Sequence, residues 1–406
     1  MGGVDLADHP SARSGRIVRA VMDCRRPFSL TTPHGALDAL RDRLRAARWP
    51  EPLLDGAGWD LGTDLEYLRE LVAYWADGFE WSAQEAALNA LPHYRGTVDG
   101  VGIHYIHVPA ATGSGFPLVL SHGWPDSFWR YLKVLPLLTD PAAHAGDPAD
   151  AFDVIIPSLP GFGYSDKPRA PGMHAQRIAG LWNKLMTGTL GFDRFGAAGG
   201  DLGGVVTRFL GLDHTEHVVA IHRTDVGLPL LQVDPAELTD EERAYLADVD
   251  RWRAAESAYA LMQRTKPQTL AYALNDSPVG LAAWIVEKLR AWSDCDGDVE
   301  RRFTKDELLT NIMIYWVTET IGSSFRLYHD APQIPMDQHA RRVEVPCGVA
   351  AFPHDIGIPP RSWAKRTSNI VHWTEMPSGG HFAPFEEPQL YADDLRAFFR
   401  PYRGGG

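Results

Sequence analysis

Gly199-Gly200-Asp201-Leu202-Gly203 sets a carboxylate among glycines, directly after a short apolar run (195–199) and ahead of a helical one. Glycines there permit a sharp strand-to-helix turn and a close approach of neighbouring backbone. Such a turn exposes the side chain at its apex, where a carboxylate can attack an electrophilic carbon and form an alkyl ester. The plainer alternative is a helix-capping Asp in a Gly-rich turn. For this motif alone the two readings stand level, and two other segments tip the balance. His122-Gly123-Trp124-Pro125 follows the run PLVLS, and the backbone N–H groups of Trp124 and Leu202 are candidates for holding an oxyanion. Gly379-Gly380-His381-Phe382 follows the last apolar run, and His381 suits a general base that activates water against an ester. Its orienting acid belongs after the preceding strand, where Asp355 stands; Glu375 is the rival, inside a strand and close to His381. His122 and Pro125 are expected to border the substrate.

These side chains, spread from His122 to His381, need a scaffold that brings distant parts of the chain together. Runs at 117–121, 153–157, 195–199, 218–222, 347–352 and 370–376 read as short buried strands, most of them separated by helical stretches. That alternation predicts a mainly parallel sheet covered by helices. Between about 227 and 340 the pattern changes to helical segments rich in aromatics, so the α/β core is interrupted by a helical insertion. Trp252, Trp284 and Trp292 lie in it; Trp284 is expected to touch substrate, and most of the rest to be core. Ahead of the core, Leu37, Leu40 and Leu44 share a helix face, and Thr63/Glu66 and Ser82/Glu85 read as capping boxes. Asp99-Gly100 reads as a hairpin turn between 94–98 and 101–108. The resulting division is a disordered leader (1–26), an N-terminal helical and hairpin unit (27–110), the first part of the core (111–226), the helical insertion (227–340) and the rest of the core (341–406). Gly404–Gly406 reads as a loose tail.

Composition narrows the partners. The formal net charge of -13 and pI near 5.6 argue against nucleic acid and against an anionic membrane surface. No apolar stretch is long enough to span a bilayer, and no secretory signal is visible. Cys24, Cys295 and Cys347 are scattered, which fits a reducing, cytoplasmic setting and neither a disulfide framework nor a zinc site. Met22 is a rival start.

At this point the residues resemble a known family, the epoxide hydrolases of the microsomal type, over nearly the whole chain from Pro27. The resemblance rests on HGWPDSF, PSLPGFGYSDKP (157–168), GGDLG, Thr265-Lys266-Pro267-Gln268-Thr269, NDSPVGLAAWIVEK (275–288) and LLTNIMIYW (308–316), in order. It implies an α/β-hydrolase fold with a helical cap and an N-terminal helical and hairpin extension. It also implies hydrolysis of an epoxide to a vicinal diol through an aspartyl ester, with no metal and no organic cofactor. Two cap tyrosines, Tyr259 and Tyr328, are implied as the donors that hold and protonate the epoxide oxygen; Tyr272 competes with Tyr259. Leu202 stands where relatives often have Trp, Asp126 where Gly is commoner and Asp225 where Asn is usual, and His329 after Tyr328 is a further departure. These touch pocket shape and pH response rather than reaction class. The expected partner is a small-molecule epoxide, apolar or aromatic, with biosynthesis of specialised products favoured and detoxification open. Homodimerisation is left open. The rival functions are haloalkane dehalogenation and non-catalytic binding on the same fold.

Overall fold

Strands that are buried along nearly their whole length need helices on both faces, and six of them here form a parallel array. The computed structural model describes residues 25–52, 58–226 and 233–403. The expected leader lies almost wholly outside these residues, as do Met22, Cys24, the start of the insertion at 227–232 and the tail 404–406. Nine strands among the described residues make one sheet: β1 (Arg26–Pro27), β2 (His93–Val98), β3 (Val101–Val108), β4 (Phe116–Ser121), β5 (Phe152–Pro157), β6 (Phe195–Gly199), β7 (Val218–Arg223), β8 (Val343–Ala351) and β9 (Ser368–Glu375). Their order is β1-β2-β3-β5-β4-β6-β7-β8-β9. From β5 to β9 all neighbours are parallel, and β1 to β3 add antiparallel pairs at one edge.

The chain steps from β4 outward to β5 and then returns to β6 on the other side of β4. In open α/β sheets a ligand crevice forms where the strand order reverses, outside the carboxyl ends of the strands. The HGWP loop leaves β4 and the GGDLG turn leaves β6 at that point. The segment with Asp355 leaves β8 and the one with His381 leaves β9 at the same edge.

Between β7 and β8 the described chain is helical. It includes Asp240–Glu256, Ala258–Thr265, Pro267–Asp276, Pro278–Ala291, Lys305–Thr318 and Arg326–Asp330. The N-terminal helices Ala36–Arg45, Leu65–Asp77 and Trp81–Asn89 reach these cap helices through Arg43–Asp276 (2.7 Å), Thr63 Oγ1 donating to Ala283 O (2.7 Å) and Tyr74 Oη donating to Asp306 Oδ1 (2.7 Å). The capping boxes expected at Thr63 and Ser82 are absent. Asp64 caps Leu65–Asp77 by accepting Tyr67 N–H, which frees Thr63 for the cap, and Ser82 lies inside its helix. The Asp99-Gly100 turn forms with positive φ at both residues (49° and 78°). The hairpin then continues the central sheet, because β3 pairs with β5.

Buried imidazoles join this hairpin to the core. His93 Nε2 reaches Leu88 O (2.8 Å), His93 Nδ1 reaches His104 Nε2 (2.9 Å), and His104 Nδ1 reaches Ser158 Oγ (2.8 Å). Since Leu88 O only accepts, His93 Nε2 carries the hydrogen, His104 Nε2 donates to His93, and Ser158 donates to His104. The chain is complete only with both rings neutral. Burial holds His93, His104 and the neighbouring His107 below the usual value, His107 at about 4. Their stabilisation is fully present above the unfolded value near 6.5. It is lost as pH falls from there through the folded values, at ~1.4 kcal/mol per unit and residue, because the unfolded chain takes up the protons first. The melting temperature is therefore expected to fall between pH 7 and pH 5, the three imidazoles outweighing the buried Glu386 carboxyl, whose value of about 7 acts the other way. Calorimetry at the two pH values checks this, and an unchanged Tm counts against it.

Candidate active site

Asp201 opens the helix Asp201–Asp213 with φ of 54°, in the left-handed region that non-glycine residues avoid. The glycines around it follow from contact distances. A Cβ on Gly203 would lie 2.0 Å from Ser121 O, and one on Gly123 would lie 2.4 Å from Asp201 Oδ1. The turn therefore lies so close to β4 and its loop that no side chain fits at either position. Asp225 Oδ2 accepts the Asp201 N–H at 2.7 Å, so this departure from the family pattern caps the backbone of Asp201.

The two oxygens of Asp201 have different neighbours. Oδ1 accepts the Trp124 N–H at 2.8 Å, while Oδ2 stands 3.3 Å from His381 Nε2. Leu202 N–H, in the first turn of the helix, has no acceptor in that helix and is available beside it. His381 Nδ1 lies 2.6 Å from Asp355 Oδ1, which also accepts Ile356 N–H. His381 Nε2 has no hydrogen-bond partner among the described residues. Burial works against a charged imidazole, but the charge of Asp355 and the contact with Asp201 override it and push the His381 pKa up to about 10. Glu375, the rival acid, is exposed at the end of β9.

Above the carboxylate stands an aromatic group. The Tyr259 ring stacks on Trp124 at 5.2 Å with planes 8° apart, and Tyr328 meets Trp124 edge-on at 5.9 Å. The two tyrosine rings are 6.1 Å apart. Burial raises both phenols, and the negative charge of Asp201 raises them further, so both keep their protons. Tyr272 is 72% exposed and takes no part.

Residues 25–131 match the family described as epoxide hydrolase N terminus, and residues 117–271 match the alpha/beta hydrolase fold. Epoxide hydrolase 1 of Sus scrofa is 37% identical over 402 residues, covering 92% of this chain and 88% of that protein. The chain belongs to the epoxide hydrolase family. Among solved structures, the juvenile hormone epoxide hydrolase of the silkworm Bombyx mori matches with a TM-score of 0.85 at 27% identity, covering 96% of this chain and 97% of that one. The Aspergillus niger epoxide hydrolase matches at 0.83 and 28%, covering 94% and 98%. No helix among the described residues is long and apolar enough to cross a membrane.

Within this epoxide hydrolase, two expected substrate contacts lie elsewhere. His122 is wholly buried; its Nε2 accepts Leu159 N–H (3.1 Å), which leaves Nδ1 to donate to Gly123 O (3.0 Å). Both ring nitrogens are committed to backbone, so His122 shapes the loop rather than meeting substrate. Trp284 lines a groove with Thr63, Leu65 and Leu68, on the side of its helix that faces the N-terminal helices. Its place in the aromatic group is taken by Trp292, 5.1 Å from Tyr259 and 5.3 Å from His381. Pro125 follows Trp124 through a cis peptide, and its carbonyl accepts Asn311 Nδ2 from the cap at 2.8 Å.

Residue spacing gave no sign of the parts that hold this epoxide hydrolase site in shape. Asp126 accepts the Gly123 N–H (2.8 Å) and pairs with Arg130, which in turn donates to the carbonyl of His381. Burial would raise the Asp126 carboxyl, but Arg130 outweighs it and holds the pKa at about 2. One buried ion pair thus ties the HGWP loop to the loop bearing His381. Glu386 accepts the N–H groups of Gly380 (3.1 Å), Phe382 (2.9 Å) and Asp294 (2.8 Å), fixing the backbone on both sides of His381. Trp292 O accepts the His381 N–H at 2.8 Å.

Proposed function

We propose that the enzyme opens an apolar or aromatic epoxide by covalent catalysis on Asp201. The observation that carries this reading is the unequal environment of the two Asp201 oxygens beneath two protonated tyrosines. Oδ2 attacks one oxirane carbon, and the C–O bond of the ring breaks as Tyr259 and Tyr328 donate to the departing oxygen. The product is a hydroxyalkyl ester whose carbonyl is Cγ–Oδ1. Water, deprotonated by His381 with Asp355 behind it, then attacks Cγ. Trp124 and Leu202 N–H groups hold the charge that collects on Oδ1; losing one such donor typically costs ~100- to 1000-fold in rate. The resting His381 imidazolium has by then given its proton to the tyrosinate left by ring opening, and the intermediate collapses by breaking Cγ–Oδ2 as His381 passes the water proton to Oδ2, so Oδ2 leaves with the diol and the water oxygen stays on Asp201. The aromatic walls of Trp124, Trp292 and Tyr259 support an apolar or aromatic substituent on the substrate.

A single turnover in heavy-oxygen water, with enzyme in excess, tests this path. The first diol is expected to be unlabelled and Asp201 to acquire the label. Full labelling of that diol would mean that water attacks the epoxide directly.

A further inference from the structure

On the cap helix Ala258–Thr265 only two residues are buried, Tyr259 and Gln263. Leu261 and Met262 between them are 51% and 40% exposed. Residues four apart share a helix face, with Cβ atoms about 5–6 Å apart. Gln263 therefore stands one turn along from Tyr259, on the face that packs against Arg326–Asp330, the helix carrying Tyr328. It is wholly buried, yet neither Oε1 nor Nε2 has a hydrogen-bond partner. A buried carboxamide with both ends unsatisfied is costly, and Met would fill the volume without that cost. Its side chain braces nothing by hydrogen bonding, so a structural role does not account for its polarity. A substrate held by the two tyrosines would supply the missing partners.

We propose that Gln263 is a specificity-determining residue: the preferred epoxides carry a hydrogen-bonding oxygen, a carbonyl or a hydroxyl, displaced from the oxirane oxygen along the direction from Tyr259 to Gln263, one helical turn further. Nε2 donates to a carbonyl; a hydroxyl can accept from Nε2 or donate to Oε1. Beside the tyrosines that hold the oxirane oxygen, this second polar contact selects the orientation of the substrate and fixes the carbon that faces Asp201. The proposal rests on the reading that Tyr259 and Tyr328 hold the oxirane oxygen.

The test uses matched pairs of epoxides, each pair placing a ketone or a methylene at one of successive positions along the chain from the oxirane, and judges the pair that wild type discriminates most. Wild type is expected to prefer the ketone. In Gln263→Met the ketone-to-methylene ratio of kcat/KM is expected to fall about 10- to 100-fold. An unchanged ratio, with both substrates losing in parallel or neither losing, overturns the proposal. Turnover of none of these epoxides by wild type would instead be a failure of the epoxide-opening reading. Gln263 is then judged by the Kd values of the corresponding pairs of diols, followed by quenching of tryptophan fluorescence. Loss of preference for the ketone diol in Gln263→Met supports the polar contact, and equal ratios in both proteins remove it.

Discussion

Asp201→Ala is expected to lower kcat for epoxide opening by roughly 10⁴-fold or more while the protein stays folded. The loss is large because no other group can form the ester. Asp225 is spent on the Asp201 backbone N–H, and Asp355 stands behind His381, on the side away from the nucleophile. Folding survives for an electrostatic reason. In the native site two carboxylates, Asp201 and Asp355, face one imidazole. Removing Asp201 leaves His381 and Asp355 as a balanced pair. Alanine inherits a φ of 54°, a cost on the order of 1 kcal/mol. Diol formation by wild type and variant, with melting curves for both, checks the two halves of the expectation. Activity above about 1% of wild type in a folded variant would mean that the nucleophile lies elsewhere.

What the sequence revealed about this site divides along a physical line. Positions where the backbone itself is constrained leave a local mark. Gly203 and Gly123 stand where a Cβ would strike neighbouring backbone or the Asp201 side chain, and that need is visible as a Gly-rich motif around Asp201 and in the HGWP loop. The same holds for Asp99-Gly100, whose positive φ angles announce a hairpin. Contacts made across the fold leave no such mark. Nothing in spacing ties Trp292 to His381, or Arg130 to the carbonyl of His381, because cap and core meet only after folding. His122 was misread because a histidine next to a functional loop looks the same whether it meets substrate or its own backbone. Trp284 lies elsewhere, and a helix with apolar residues on several sides does not say which side faces Tyr259 and His381. The capping boxes failed for a related reason: Asp64, one residue beyond Thr63, made the better cap, while intact boxes formed in the cap at Thr239/Glu242 and Thr304/Glu307.

His381→Gln should separate the two halves of the reaction. The first half needs the Asp201 carboxylate and the tyrosine protons; the second needs a base. In the resting site His381 is no base at all, because Asp355 and Asp201 together push its pKa up to about 10 and keep it protonated at neutral pH. Ester formation removes the Asp201 charge, and with it part of the support for the imidazolium. The proton is then easier to lose, so the base becomes available only once there is an ester to hydrolyse. Gln keeps an N–H to offer Asp355 but cannot take a proton from water. The variant is therefore expected to bind epoxide and form the ester at close to the normal rate, then stall. Steady-state turnover should drop by roughly 10³-fold or more, with one equivalent of covalent adduct visible as a mass increase equal to that of the epoxide. A variant that turns over slowly without accumulating the adduct would show that His381 is also needed to form the ester. The ion pair with Asp201 would then be part of the attack itself rather than a resting state that the first step releases.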